Sequence, residues 1–342
     1  MKNILLAAGL LVLLSTGCKK YDTPSNVPTA HPYVSAMTMG ADVSWLTEME
    51  DAGKVFYDTA GVQKDCIELL KTLGVKAIRL RVWVNPTSGY NNLADVTAKA
   101  KRVQAAGLGL MIDFHYSDTW ADPANQTKPA AWASLDVAGL QDAIYQHTYS
   151  VLNSLKGNGI TPKWVQVGNE TNNGMLWPEG QASSSMANFA SFINAGYNAV
   201  KAVDSAAKVI VHLSNGYDTS LFRWMFDGLT ANNAKYDVIG MSLYPDVTTW
   251  QSLNKLCEAN MQNMIKSYNK EVMLCEIGMP VASGAACKRF IEDLTERVYN
   301  LPDHKGLGMF YWEPQAYSGW QGYLLGAFNT NGTPTSALEA FN

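Results

Sequence analysis

Glu170 in VQVGNE and Glu276 in VMLCEIG stand 106 residues apart, and each ends a short β-type apolar run at the start of a polar turn. A carboxylate in the middle of such a strand would be buried without a partner, at a cost of roughly several kcal/mol, whereas one at the strand's end can face a cleft. Two carboxylates at the carboxyl ends of strands in a parallel α/β barrel are placed to act as the acid and nucleophile of a glycosidase. Asn169, directly before Glu170, adds an amide donor suited to a sugar 2-hydroxyl, whose hydrogen bond strengthens in the transition state. Asn-Glu alone is a common loop or helix-cap pair. The apolar run before it, and the second carboxylate at a second strand end, favour catalysis.

A nucleophile must be ionised, and the apolar neighbours of Glu276 (Val272 to Cys275, then Ile277) oppose this by desolvation. Arg79 and Arg81 in RLRVWV are two apart and so face one side of a strand, with Trp83 next in the row. Pointing into a barrel they need an anion, which Glu276 would provide; a structural arginine pair bonded to backbone carbonyls is the alternative. His115, in IDFHYSDTWADP, has Asp113, Asp118 and Asp122 nearby, but a single His with ligands from one loop makes a poor zinc set. Sugar contact or support of a neighbour is expected of it, and no metal. Tyr244 in GMSLYPD can donate its hydroxyl to the nucleophile, and Trp312 in FYWEP can form a floor under a sugar ring. Packing alone also accounts for either aromatic.

The elements that must position these groups alternate short apolar runs with longer amphipathic stretches from residue 35 onward, the pattern of repeated βα units. Eight strands are predicted, at 36–41, 77–84, 108–114, 163–168, 208–213, 237–242, 271–276 and 307–312. Helices fall between them: Gln63 to Leu73 places Cys66, Ile67, Leu69, Leu70 and Leu73 largely on one face and stops at Gly74, and Ala94 to Ala106 stops at Gly107. The long aromatic-rich segments follow strands three, four and six, while the connections after the helices are short. That asymmetry, with no phosphate-binding glycine motif after the first strand, argues for a closed (β/α)8 TIM barrel in one domain over 35–342 rather than an open doubly wound sheet.

Composition narrows the partners. A net charge of -4 with no Lys/Arg stripe gives no footprint for nucleic acid, and ten tryptophans with sixteen tyrosines exceed ordinary core needs, as sugar-stacking faces would. Lys2, the apolar run Ile4 to Leu14 and the small residues before Cys18 predict a signal peptide over 1–17, too short to span a bilayer. The site resembles a bacterial lipobox with Ser15 in place of the usual Leu, so acylation of Cys18 and a Pro-rich tether over 18–34 are expected. The chain then reads as an exported bacterial lipoprotein, anchored at the outer membrane or cell surface without crossing the membrane, and as a monomer. Cys66, Cys257, Cys275 and Cys287 admit one disulfide, most simply among the last three, or four buried thiols.

The motifs MGADVSW, RLRVWVNP, IDFHYSDTWADP, VQVGNE, GMSLYP, LCEIG and YWEP occur in that order over roughly residues 36–342 and resemble those of the endo-β-1,4-galactanases of glycoside hydrolase family 53. GNE is shared across a wider clan of retaining barrels, whereas RVWVNP with HYSDTWADP is specific to this family. The resemblance implies Glu170 as acid/base and Glu276 as nucleophile, with Arg79 as the clan's strand-two arginine and Arg81 one pleat nearer the rim. Asn169, His115, Tyr244 and Trp312 would line the subsite of the cleaved galactose, with Asp42, Trp45 and Trp120 at its margin. These galactanases read ETGWP or similar after the seventh strand, whereas this chain has CEIGMP and lacks a Trp and a Thr there. Some bacterial members hold calcium in a long loop; the segment EPQAYSGWQGYLLGAF has no Asp cluster, so neither calcium nor any other cofactor is expected.

The expected activity is hydrolysis of the β-1,4-galactan side chains of pectin by double displacement, with the two carboxyls about 5–5.5 Å apart. Another retaining endo-glycanase (mannanase, cellulase or xylanase) would share this machinery. A non-catalytic surface glycan-binding lipoprotein is the alternative of a different class, and it leaves the paired carboxylates unexplained.

Overall fold

The computed structural model describes residues 33–317 and 319–342 of the chain. Eight parallel strands form a closed barrel: β1 (Thr38–Asp42), β2 (Ala77–Val82), β3 (Gly109–Phe114), β4 (Trp164–Val167), β5 (Lys208–Leu213), β6 (Val238–Leu243), β7 (Glu271–Ile277) and β8 (Gly306–Trp312). Each pairs with its neighbours in sequence, and β8 closes onto β1 with Thr38 opposite Gly308 and Asp42 opposite Trp312. All eight lie within two residues of the ranges predicted from the sequence. The signal peptide expected over 1–17 and the tether up to Pro32, Cys18 included, lie outside the described residues.

The helices are α1 (Leu46–Asp51), α2 (Cys66–Thr72), α3 (Leu93–Ala105), α4 (Val137–Gly157), α5 (Met186–Val203), α6 (Thr219–Ala231), α7 (Trp250–Tyr268) and α8 (Gly284–Tyr299). Helices α2 to α8 are the seven crossovers. After β8 the expected eighth helix is only a 3-10 segment, Ser336–Phe341, packed on α8. Short polar side chains set many of the starts: Asp65, Asn92, Asp136, Ser185 and Asp218 each accept a backbone N–H from the first turn of their helix. Asp65 explains why α2 begins later than the periodicity suggested, since Gln63 and Lys64 pair instead with Tyr57 and Phe56 in a small hairpin. Gly74 ends α2 at φ 95°, and a Cβ there would come within 2.1 Å of the Phe341 carbonyl oxygen, so the C-terminal segment closes over it.

Alternation along the strands divides the apolar residues into two sets. Ala77, Met111, Trp164, Ile210, Val238, Met273, Cys275 and Phe310 fill the lower barrel, while Ile78, Leu80, Ile112, Val165, Val211 and Leu274 face the helix layer. The plug is apolar. Polar side chains therefore enter the interior only above it, toward the carboxyl ends of the strands. All four described cysteines are buried free thiols, so the disulfide that their spacing admitted does not form.

Candidate active site

Arg79 on β2 is the hub of the polar layer. Its Nη1 donates to Asp42 Oδ2 at 2.7 Å; its Nη2 reaches Asp113 Oδ2 at 2.8 Å, Asn169 Oδ1 at 2.9 Å and Glu276 Oε1 at 2.9 Å; its Nε donates to Gln166 Oε1 at 3.2 Å. Burial works against the guanidinium charge, but Asp113, Glu276 and Asp42 outweigh it and hold the pKa well above the usual arginine range. Arg79 and Asp42 are fully buried, so they lie beneath the cleft and not in its lining.

Glu276 receives a donor on each oxygen: Arg79 on Oε1 and the Tyr244 hydroxyl on Oε2 at 2.8 Å. Burial followed by the charge of Glu276 holds the Tyr244 phenol well above its usual range, which keeps it a donor. Glu170 is presented differently. Strand β4 ends at Val167, and Gly168 turns the chain at φ 85°, where a Cβ would meet Thr171 Cγ2 at 2.6 Å. Glu170 itself sits at φ 43°, a left-handed conformation that costs a non-glycine residue about 1–3 kcal/mol and recurs at functional sites. Its Oε1 accepts from Ser242 Oγ at 2.7 Å.

Burial raises the pKa of both carboxyls; Arg79 opposes the shift at each, while Glu170 adds to it at Glu276. Because the charge of Glu170 acts on Glu276, the two titrate as a pair. The hydrogen bonds decide which keeps the proton: both Glu276 oxygens are occupied by donors, whereas Glu170 has Oε2 left to carry one. The two lie on either side of β6, whose inward-facing Ser242 holds Glu170, while Tyr244, just past its end, holds Glu276.

The site opens into a cavity of about 770 Å³ at the carboxyl end of the barrel, lined by both carboxyls and by Asn169, His115 and Tyr244. Trp45, Trp120 and Trp312 form one wall with Tyr323, their rings meeting at centroid distances of 4.7–6.0 Å. Arg81 departs from expectation. It points inward, but its anion is Glu313, at 2.6 Å, and its guanidinium lies under the Trp wall, 4.3 Å from the Trp120 ring centroid. Arg81 stands two residues beyond Arg79 on β2, which carries it past Glu276, so it supports the wall instead of contacting the cavity. His115 Nδ1 accepts from Trp83 Nε1 and the Ala121 N–H, which leaves its proton on Nε2 facing Asp113 Oδ2 at 3.0 Å.

Sequence reasoning missed Gln166, His212, Ser242 and Glu313. The first three were signalled: each is a polar residue at an inward position of an otherwise apolar run, where nothing but another polar group can satisfy it. Glu313 stands directly after Trp312 and accepts the Trp45 backbone N–H, a contact between chain ends 268 residues apart that no local pattern announces.

The model of glycosyl hydrolase family 53 matches residues 38–341. An uncharacterized protein of Niallia circulans, from the 5' region of bgaB, is 37% identical over 309 residues, covering 82% of this chain and 84% of its own. The arabinogalactan endo-β-1,4-galactanase of Thermothelomyces thermophilus is 36% identical over 296 residues, covering 80% and 88%. A structure from a study of two fungal β-1,4-galactanases superimposes with a TM-score of 0.83 at 32% identity, covering 89% of this chain and 99% of its own.

Proposed function

The chain belongs to glycosyl hydrolase family 53, and from that premise we propose that it is an endo-β-1,4-galactanase acting with retention of anomeric configuration on the galactan side chains of pectin. The carrying observation is the unequal treatment of the two carboxyls: Glu276 has a donor on both oxygens and Glu170 on one. Glu276, charged, attacks the anomeric carbon while Glu170 passes its proton to the departing glycosidic oxygen. Glu170 then takes a proton from water, and the hydroxide so formed releases the glycosyl-enzyme with a second inversion. Asn169, with one amide hydrogen on the Ala121 carbonyl and a second one free, supplies a donor for a hydroxyl of the cleaved sugar, His115 lines the same subsite with its ring, and the Trp wall offers its faces to the apolar C–H side of the galactose rings.

Proton NMR of products from galactan, taken before mutarotation, tests the mechanism: the β-anomer must form first, and the α-anomer would refute it. Early products of mixed length are expected. Galactose alone from the first minutes would refute internal cutting, and faster hydrolysis of mannan, cellulose or xylan would refute the substrate. We further propose acylation at Cys18 and export as a monomeric surface lipoprotein, supported by the run before that cysteine. The mass of the N-terminal peptide from a membrane fraction tests this, with an unmodified Cys18 as the refuting result.

A further inference from the structure

One run of hydrogen bonds links the two carboxyls through groups that have no assigned role. Arg79 Nε can only donate, so Gln166 Oε1 accepts, and the amide nitrogen of Gln166 is thereby turned to His212, 2.8 Å from Nδ1. The backbone N–H of Glu170 also points at Nδ1, at 3.4 Å. Asn169 Oδ1 lies 3.0 Å from the same atom, but it already accepts from Arg79 and Gln166, and its orientation is fixed by its own Nδ2 donating to the Ala121 carbonyl. Two donors therefore aim at Nδ1, and the imidazole carries its proton on Nε2. Nε2 is 2.8 Å from Ser242 Oγ, so Ser242 accepts there and must give its own proton to Glu170 Oε1, at 2.7 Å. Every link runs in one sense, from the guanidinium that pairs with Glu276 to the carboxyl of Glu170.

We propose that Ser242, with its hydroxyl oriented by Gln166 and His212, is a positioning residue that keeps the Glu170 proton on Oε2 and stabilises the carboxylate left when that proton departs. The inference deepens the proposed function and rests on Glu170 being the acid. As the proton leaves Oε2 for the glycosidic oxygen, negative charge appears on the carboxylate and the Ser242 bond strengthens, so its effect is felt in the transition state. When water later returns a proton, Ser242 again excludes it from Oε1. His212 stays neutral throughout, since burial, then Arg79 and His115, push its pKa well below the usual range. The charged and titratable groups around Glu170 are Arg79 from β2, Asp113 on β3 with His115 just past its end, Asp122 from the following loop, His212 from β5, Tyr244 just past β6, and Glu276 from β7.

The test compares Ser242→Ala and Ser242→Thr with wild type on two substrates: β-1,4-galactan, whose leaving group needs a proton, and 2,4-dinitrophenyl β-galactobioside, whose leaving phenolate does not. Ser242→Ala is expected to lower kcat/KM on galactan about ten- to a hundredfold and on the aryl glycoside less than about threefold. Its alkaline limb on galactan moves to higher pH, because the lost donor favoured the carboxylate. Ser242→Thr, which keeps the hydroxyl, recovers most of the galactan activity. Equal losses on both substrates, an unmoved alkaline limb, or undiminished activity on galactan would overturn the proposal. Wild-type turnover alone judges the choice of galactan, while the ratio of variant to wild type judges Ser242 on whichever β-glycan and matching aryl glycoside the wild type cleaves.

Discussion

Replacing Arg81 with Met tests whether the buried pair beneath the Trp wall carries the load its geometry implies. Arg81 and Glu313 are both fully buried and joined at 2.6 Å, and the guanidinium also lies 4.3–5.4 Å from the centroids of Trp45, Trp83 and Trp120. Methionine fills much of the same space but leaves Glu313 with neutral donors only, the Trp45 N–H and Gln315 Nε2. Orphaning a buried charge costs about 3–5 kcal/mol. With an unfolding entropy of about 2.1 cal/mol/K per residue, a chain of this size loses about 1.5 °C of Tm per kcal/mol, so a fall of about 4–8 °C is expected. The sign of its pH dependence follows from Glu313. Burial raises its pKa from 4.5 to about 7, with Arg81 working against the shift. The folded state therefore holds this proton more tightly than the unfolded chain, and stability from this group is lost as pH rises from 4.5 through 7. Without Arg81 the folded pKa moves higher and the loss continues to higher pH. The gap in Tm between wild type and variant must then be narrow near pH 5 and widest near pH 8, measured by scanning calorimetry in matched buffers. A gap that is constant or that widens toward acid would refute the reasoning, as would an Arg81→Met/Glu313→Leu double variant no more stable than the single one at pH 8. The same variant removes the support under Trp120, so KM for galactan should rise severalfold with kcat little changed.

Tyr244→Phe removes the donor at Glu276 Oε2; kcat/KM on galactan should fall about ten- to a hundredfold, and the acidic limb of its pH profile should move to higher pH because the charged nucleophile is less stabilised. Glu276→Gln should abolish turnover and lower the pKa of Glu170, since a like charge has been removed; ¹³C NMR titration of labelled glutamate reads this, and an unchanged or raised Glu170 would contradict the coupling. Cys66, Cys257, Cys275 and Cys287 are buried thiols, with burial raising all of them and taking Cys257 and Cys287 to about 12. They should be inert to a thiol reagent in the native protein and fully reactive after unfolding without reductant; any shortfall then would mean a disulfide.

The barrel was legible because its signal is repeated: each βα unit carries an apolar run, a turn and an amphipathic helix, whereas the exact helix starts were not, since periodicity alone began α2 at Gln63 and the cap at Asp65 moved it. Glu170 and Glu276 were legible because a carboxylate at the end of an apolar run is costly to explain otherwise. Pairing was not. Arg79 and Arg81 share one face of β2, yet one meets Glu276 and the other Glu313, a choice set by the height of each residue above the apolar plug and by the chain beyond β8. The eighth helix failed for a related reason: the chain after Trp312 turns back to build the wall with Tyr323 and ends as a short segment on α8, a tertiary demand that local propensity does not express.

Simple alternation would also have aimed Glu276 the wrong way. On β7, Met273 and Cys275 face the barrel interior while Val272 and Leu274 face the helices, so a regular strand would send Glu276 outward with Leu274. The pairing shows why it does not. Met241 and Ser242 are consecutive on β6 but oppose Leu274 and Glu276, and on the other side Met309 and Tyr311 oppose Leu274 and Ile277. One extra residue is thus inserted on β7, which lets Cys275 and Glu276 both turn inward and returns Ile277 to the outer layer. Space for the extra inward side chain comes from Gly240 on the neighbouring strand, where a Cβ would lie 2.7 Å from Cys275 Sγ. The bulge brings Glu276 opposite Ser242, which sets the hydroxyl that holds Glu170 beside the backbone of Glu276. A substitution at Gly240 would therefore act on the nucleophile through Cys275, without touching either carboxyl.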